Sequence, residues 1–276
     1  MDLRQLIRGT LSWDQIADVA REIAVRYDRP VVRVTFLDAD NWLSTPLVVD
    51  ETWFVKVISP QNAFVQALFT GARNLGAFTM GGDGFFVRSD GPVEMARHEL
   101  EATRRMADIG VNAPEPVEAF EVDGLGVVVM EYLEEFETLD QLDAEDVEEF
   151  ADDVFRSLST MHANDLAHGD LREENVLVHD GELFFIDATN VDEDGIDDAR
   201  AYDLACALAA LEPHIGAEAA VAAAARHYSS SALEDARSFL AFVNLRPDHD
   251  FDADAVTDQF ARDEAVDPGD ERDDPS

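Results

Sequence analysis

Lysine and cysteine are nearly missing from this chain, and so are long apolar runs. Of the 20 basic residues among 276, one is a lysine, Lys56, and the rest are arginines. Set against 60 Asp and Glu they leave a formal charge of −40, with no cluster of Lys and Arg that would grip a phosphate backbone. The single cysteine, Cys206, excludes an internal disulfide and any multi-cysteine metal cage. Lying in a run of alanines and leucines, it is expected to be a small core residue. No stretch approaches the ~20 apolar residues of a membrane helix, and the N-terminus carries no apolar signal segment. A cytoplasmic location without a membrane partner is the expectation.

What is present suffices to build a core. The hydrophobic set makes up 46% of the chain and aromatics 9%, in a length that suits one large or two small domains. Self-repulsion at −40 calls for screening, and at roughly 1 M salt the Debye length falls to about 3 Å. In its acidity and its lack of lysine the chain resembles proteins of salt-loving archaea, which implies a halophilic source.

Residues 1–30 read as an N-terminal helical segment, with Ser12 as cap, Gln15 completing a capping box, and Ile16, Val19, Ala20, Ile23 and Tyr27 on one face. Residues 31–132 read as a lobe of five antiparallel strands with one main helix. Three β-branched and aromatic runs fill 31–58, a glycine-bearing insertion occupies 59–91, and a helix starts at Pro92 and stops before Gly110. Strands Val117–Val122 and Val127–Tyr132 then flank the turn signal Asp123-Gly124. Residues 133–247 read as a mainly helical lobe. It holds a helix from Asp143 to Asn164, a hairpin around Asp180-Gly181, and alanine-rich helix from Ala199 to Asn244. The acidic stretch 248–276 is expected to be disordered.

The densest motif is HGDLREENVLVHDGELFFIDATN. His168-Gly169-Asp170, with Asn175 five residues after the Asp, has the spacing of a kinase catalytic loop, and Asp187 ends an apolar strand where that pattern places a second metal ligand. Phosphoryl transfer needs a carboxylate to orient the attacking group and ligands for a cation that neutralises phosphate charge. Asn and Asp oxygens are suitable hard donors for Mg²⁺. Lys56, in WFVKVIS, alternates with Phe54 and Val57–Ile58 as a strand residue would. In a chain where every other basic residue is Arg, a retained Lys points to a task that a forked guanidinium does not fill, such as a compact charge on ATP phosphates. Its expected partner is a carboxylate on the following helix, Glu99 before Glu101 or Glu94.

This combination resembles the RIO family of atypical protein kinases from about Val31 to Ala210: HGDLREENVLV, IDATNV, a helix ending in GVNAPEPV, and VVMEYL. The resemblance implies an α+β, two-lobed protein-kinase-like fold that uses ATP with Mg²⁺ or Mn²⁺. It implies Asp170 as catalytic base, Asn175 and Asp187 as metal ligands, Lys56 with Glu99 as the phosphate-positioning pair, and backbone of Glu131 and Tyr132 as the adenine hinge. The segment ARAYDLACALAAL departs from that pattern and is closer to the aminoglycoside phosphotransferase group; Asp203 there would brace the catalytic loop that carries His168, as the equivalent helix Asp does across kinase-like folds. The segment LDADNWLSTPL holds no glycine, so Asn41, Ser44 and Thr45 are the candidates to meet phosphate there. The implied function is a serine/threonine protein kinase or an ATPase switch, acting on protein or on itself, in a setting of ribosome maturation. A small-molecule kinase of the aminoglycoside or choline class, and a nucleotide-binding pseudokinase, are the alternatives.

Overall fold

The computed structural model describes residues 11–37, 44–63, 91–189, 195–246 and 249–266. Asn41 and most of the 59–91 insertion lie outside them. At the start of that insertion residues 60–63 are helical.

The first helix, α1 (Trp13–Arg26), is capped by Ser12 and Gln15 as the sequence indicates. Strands β1 (Val34–Phe36), β2 (Thr45–Val49) and β3 (Trp53–Ile58) follow, then α2 (Pro92–Asp108), β4 (Pro116–Val122) and β5 (Leu125–Glu131). The strands form one antiparallel sheet in the order β1-β2-β3-β5-β4. Strand alternation sends Val55 and Val57 to one face, where they pack with Val19 and Ile23 of α1. Ile58, Val128 and Met130 turn to the other face, against Met95, Ala96 and Leu100 of α2. Lys56 shares the parity of Ile58, so its side chain lies on the α2 side of the sheet. Gly126 lets α2 start hard against the sheet: a Cβ there would lie 2.0 Å from the Pro92 carbonyl oxygen.

The second lobe opens with β6 (Glu137–Thr138) and a 3₁₀ turn, Leu139–Gln141. Helix α3 (Ala144–Ala163), capped by Asp143, precedes a 3₁₀ turn at Glu173–Asn175 and the hairpin β7 (Val176–His179) and β8 (Glu182–Phe185). Asp180 and Gly181 both take positive φ, 52° and 78°, as the tight turn requires. The expected hairpin is in fact a three-stranded sheet, because β6 pairs with β7. Helices α4 (Ile196–Ala225), kinked at Gly216, α5 (Ser230–Val243) and α6 (Ala253–Val266) complete the lobe. The chain thus has the expected α+β architecture, a five-stranded antiparallel sheet with its helix and a mainly helical lobe.

Two expectations are corrected. Helix α4 is long and apolar enough, by length and composition, to cross a membrane. Its alanines and leucines, with Cys206 fully buried among them, are packed instead into the core of the helical lobe. Burial pushes the Cys206 thiol up to about 12. The stretch from 248 is also not wholly without structure: α6 folds back, and Phe251, Val256 and Phe260 are buried in that same core. Their spacing is amphipathic, but it is hidden in the sequence by the surrounding acids.

Candidate functional site

Three charged side chains from three elements converge between the lobes. Lys56 Nζ of β3 lies 2.9 Å from Glu99 Oε1 of α2 and 2.7 Å from Asp187 Oδ1, just beyond β8. Lys56 is 7% exposed. Burial by itself would pull its pKa down, but the carboxylates of Asp187 and Glu99 override that and hold it above the ordinary lysine range. Burial pushes Glu99 up to about 7 despite Lys56, while Lys56 and Arg172 hold Asp187 below the usual carboxylate range against its own desolvation. Glu101 is exposed, and Glu94 lies 3.9 Å from His98, so Glu99 is the helix partner that the structure selects.

Asp187 has φ of 61°, a conformation that few non-glycine residues adopt, and the turn brings its carboxylate back toward Lys56. The catalytic-type loop is fixed from below. Asp203 in α4 is fully buried; its Oδ1 accepts from Gly169 N at 2.7 Å and its Oδ2 from His168 N at 2.5 Å, with His162 Nε2 3.4 Å away. Tyr228 Oη adds a contact of 2.9 Å to His162 Nδ1. His168 is fully buried, and burial holds its pKa below the ordinary value. As a neutral ring it donates from Nε2 to the Ile186 carbonyl at 2.9 Å and accepts the Asp170 amide at Nδ1, 3.4 Å. One histidine thus ties the loop of Asp170 to the segment after β8 that carries Asp187.

Asn175 donates from Nδ2 to the Asp170 carbonyl at 2.7 Å, which leaves its Oδ1 as the end suited to a hard cation. No group of three His, Cys, Asp or Glu among the described residues could hold a metal alone. A pair such as Asn175 and Asp187 suits Mg²⁺, which keeps several waters and takes substrate phosphate oxygens. Ser44 is 6% exposed, and its Oγ finds no hydrogen-bond partner among the described residues.

The hinge expectation is narrowed. Glu131 N donates to Glu115 O at 2.9 Å and Tyr132 N to Thr52 O at 3.0 Å. Both amides are committed to protein carbonyls, so a ligand there would meet carbonyl oxygens rather than these N–H groups. Two arginines that sequence reasoning did not single out also reach the loop. Arg172 Nε lies 3.6 Å from Asp170 Oδ2, and Arg246 Nη2 lies 2.9 Å from Asp170 Oδ1. The first could have been suspected from its place two residues after Asp170; the second is 76 residues away and carries no local signal.

The family model of the RIO domain matches residues 90–200. The KEOPS complex subunit Bud32 of Pyrococcus abyssi is 32% identical over 115 residues, 40% of this chain and 51% of that protein. The chain spans about half the length of this curated relative. Among solved structures, a doubly substituted kinase domain of Mycobacterium tuberculosis PknI is 17% identical with a TM-score of 0.42, over 83% of this chain and 95% of that one. A singly substituted form of the same domain gives 15% and 0.42, over 84% and 94%.

Proposed function

We propose that this chain is a RIO-type phosphotransferase that uses ATP with Mg²⁺, as a serine/threonine protein kinase or an ATPase switch. The observation that carries the reading is Lys56 bridging Glu99 and Asp187 beside an Asp170 loop anchored on Asp203. The match of residues 90–200 to the RIO domain supports the family, and the likeness to Bud32 supports a kinase within it.

In this reading Lys56 turns from Asp187 toward the α- and β-phosphates, Glu99 keeps the ammonium in place, and the Ser44 hydroxyl donates to a phosphate oxygen. Asn175 and Asp187 are the protein ligands of Mg²⁺, which when bound neutralises charge gathering on the phosphates. Asp170 orients the attacking hydroxyl or water. Phosphoryl transfer of this kind depends on placement and electrostatics more than on covalent chemistry by the protein. A set of rigidly held charges is therefore the right machinery.

The test is phosphate release and self-labelling from ATP and Mg²⁺ by the full chain in molar KCl. Asp170→Asn should lower turnover on the order of 100-fold, and Lys56→Arg, which keeps the charge but not its shape, should lose most of it. Absence of ATP turnover overturns the reading, and an unchanged melting temperature with ATP would remove nucleotide binding as well.

A further inference from the structure

We propose that Arg246, contributed by the chain beyond the stretch matching the RIO domain, is a positioning residue that holds the Asp170 carboxylate in the orientation phosphoryl transfer needs. The inference rests on the phosphotransferase reading of the same site.

Arg246 and Asp170 side chains are each 9% exposed, and Nη2 to Oδ1 is 2.9 Å. The guanidinium is itself fixed: Nη1 donates to the Tyr202 hydroxyl, and Tyr202 is fully buried. The Tyr202 ring stands edge-on to Phe239 at 6.1 Å and tilted to Phe242 at 6.0 Å, both from α5. The backbone is held as well. Arg246 N bonds to Val243 O at 3.0 Å in the turn that ends α5, and its carbonyl accepts from His249 N at 3.3 Å.

The guanidinium serves the phenol oxygen from Nη1 and the carboxylate oxygen from Nη2, two nitrogens at a fixed spacing on one planar fork, whereas a lysine would have to serve both from one freely rotating ammonium. Arg246 engages Oδ1, and Arg172 Nε lies 3.6 Å from Oδ2 as a second cation. Arg172 comes from the loop itself and moves with it. Arg246 ties Asp170 to α4 and α5, so the carboxylate is registered against the body of the helical lobe. A displacement of about 1 Å in a reacting group is enough to cost on the order of 100-fold in rate.

The experiment compares Arg246→Met, Arg246→Lys and Tyr202→Phe with the wild-type chain in ATP turnover at molar KCl. Arg246→Met should lower kcat at least about 10-fold, while KM for ATP stays within about 2-fold, because Lys56 and Glu99 hold the nucleotide on the other wall. Arg246→Lys should recover part of the loss. In an Asp170→Asn background, Arg246→Met should cost nothing further, since the two act as a unit. Tyr202→Phe removes one hydroxyl and keeps the buried ring; it should give an intermediate fall in kcat, and it carries the test if Arg246→Met does not fold. Unchanged or increased turnover in the folded Arg246→Met protein, or an undiminished loss in the Asp170→Asn background, overturns the positioning role. A wild-type chain without turnover overturns the phosphotransferase reading instead.

Discussion

On the sheet wall of the site, Lys56 meets Glu99 and Asp187 through side-chain atoms, whereas on the helical wall Asp203 holds the loop of Asp170 by the backbone amides of His168 and Gly169. The two arrangements fail differently. A lysine between two carboxylates can exchange partners, and each carboxylate retains a role if the other is neutralised. Amides sealed around a buried carboxylate have no second acceptor, so their satisfaction is part of the fold itself. The ion pairs of the sheet wall can therefore rearrange within the fold, whereas the helical wall is fixed by it.

The comparison predicts its largest effect at Asp203. Asp203→Ala strips two buried amides of their acceptor, each worth about 1–3 kcal/mol when left unsatisfied, and removes the carboxylate facing His162. A total of about 3–5 kcal/mol should be lost in denaturant unfolding at molar KCl, with turnover lost alongside. A change under about 1 kcal/mol would erase the distinction between the walls.

The same distinction explains what the sequence made legible. Lys56 could be found because it is the one lysine in the chain, and Asp170, Asn175 and Asp187 because their spacing survives in a single loop and hairpin. Glu99 followed from its place in the helix after Pro92. Elements read well wherever periodicity and turn residues agreed, as at Ser12 with Gln15, at Pro92, and at Asp180-Gly181. What was illegible depends on distant pairings. Arg246 reaches Asp170 from 76 residues away. The commitment of the Glu131 and Tyr132 amides is decided by Glu115 and Thr52, which no local pattern announces. In α6, acidic composition outweighed a spacing of apolar residues that proved sufficient for burial.

How far the fixed wall extends is tested next at Phe260, which is 4% exposed in the core shared with α4 and α5. If α6 is a working part of the lobe, Phe260→Ala should cost about 3 kcal/mol in the same unfolding experiment. A loss below about 0.5 kcal/mol would confine the fixed wall to the chain before α6.

The smallest stability effect, and the sharpest contrast, is expected at Glu99. Glu99→Gln keeps the shape of the side chain, and Lys56 keeps Asp187 at 2.7 Å. Burial, with the charge of Asp187, pushes the Glu99 carboxyl up to about 7 from the ordinary 4.5, so its ionised form is not strongly favoured where it sits. A folded-state pKa above the unfolded one means that the folded protein holds the proton more tightly. The contribution of Glu99 to stability is thus fully present below pH 4.5 and is lost as pH rises through about 7. Glutamine does not titrate, so the wild-type protein should lose stability relative to Glu99→Gln between about pH 5 and pH 8. Near pH 7 the two should differ by no more than about 1 kcal/mol, while turnover falls on the order of 10- to 100-fold because the ammonium is no longer steered from the helix side. A stability loss as large as that of Asp203→Ala would make the sheet wall as structural as the helical one. Unaltered turnover would leave Asp187 as the sole partner that Lys56 needs.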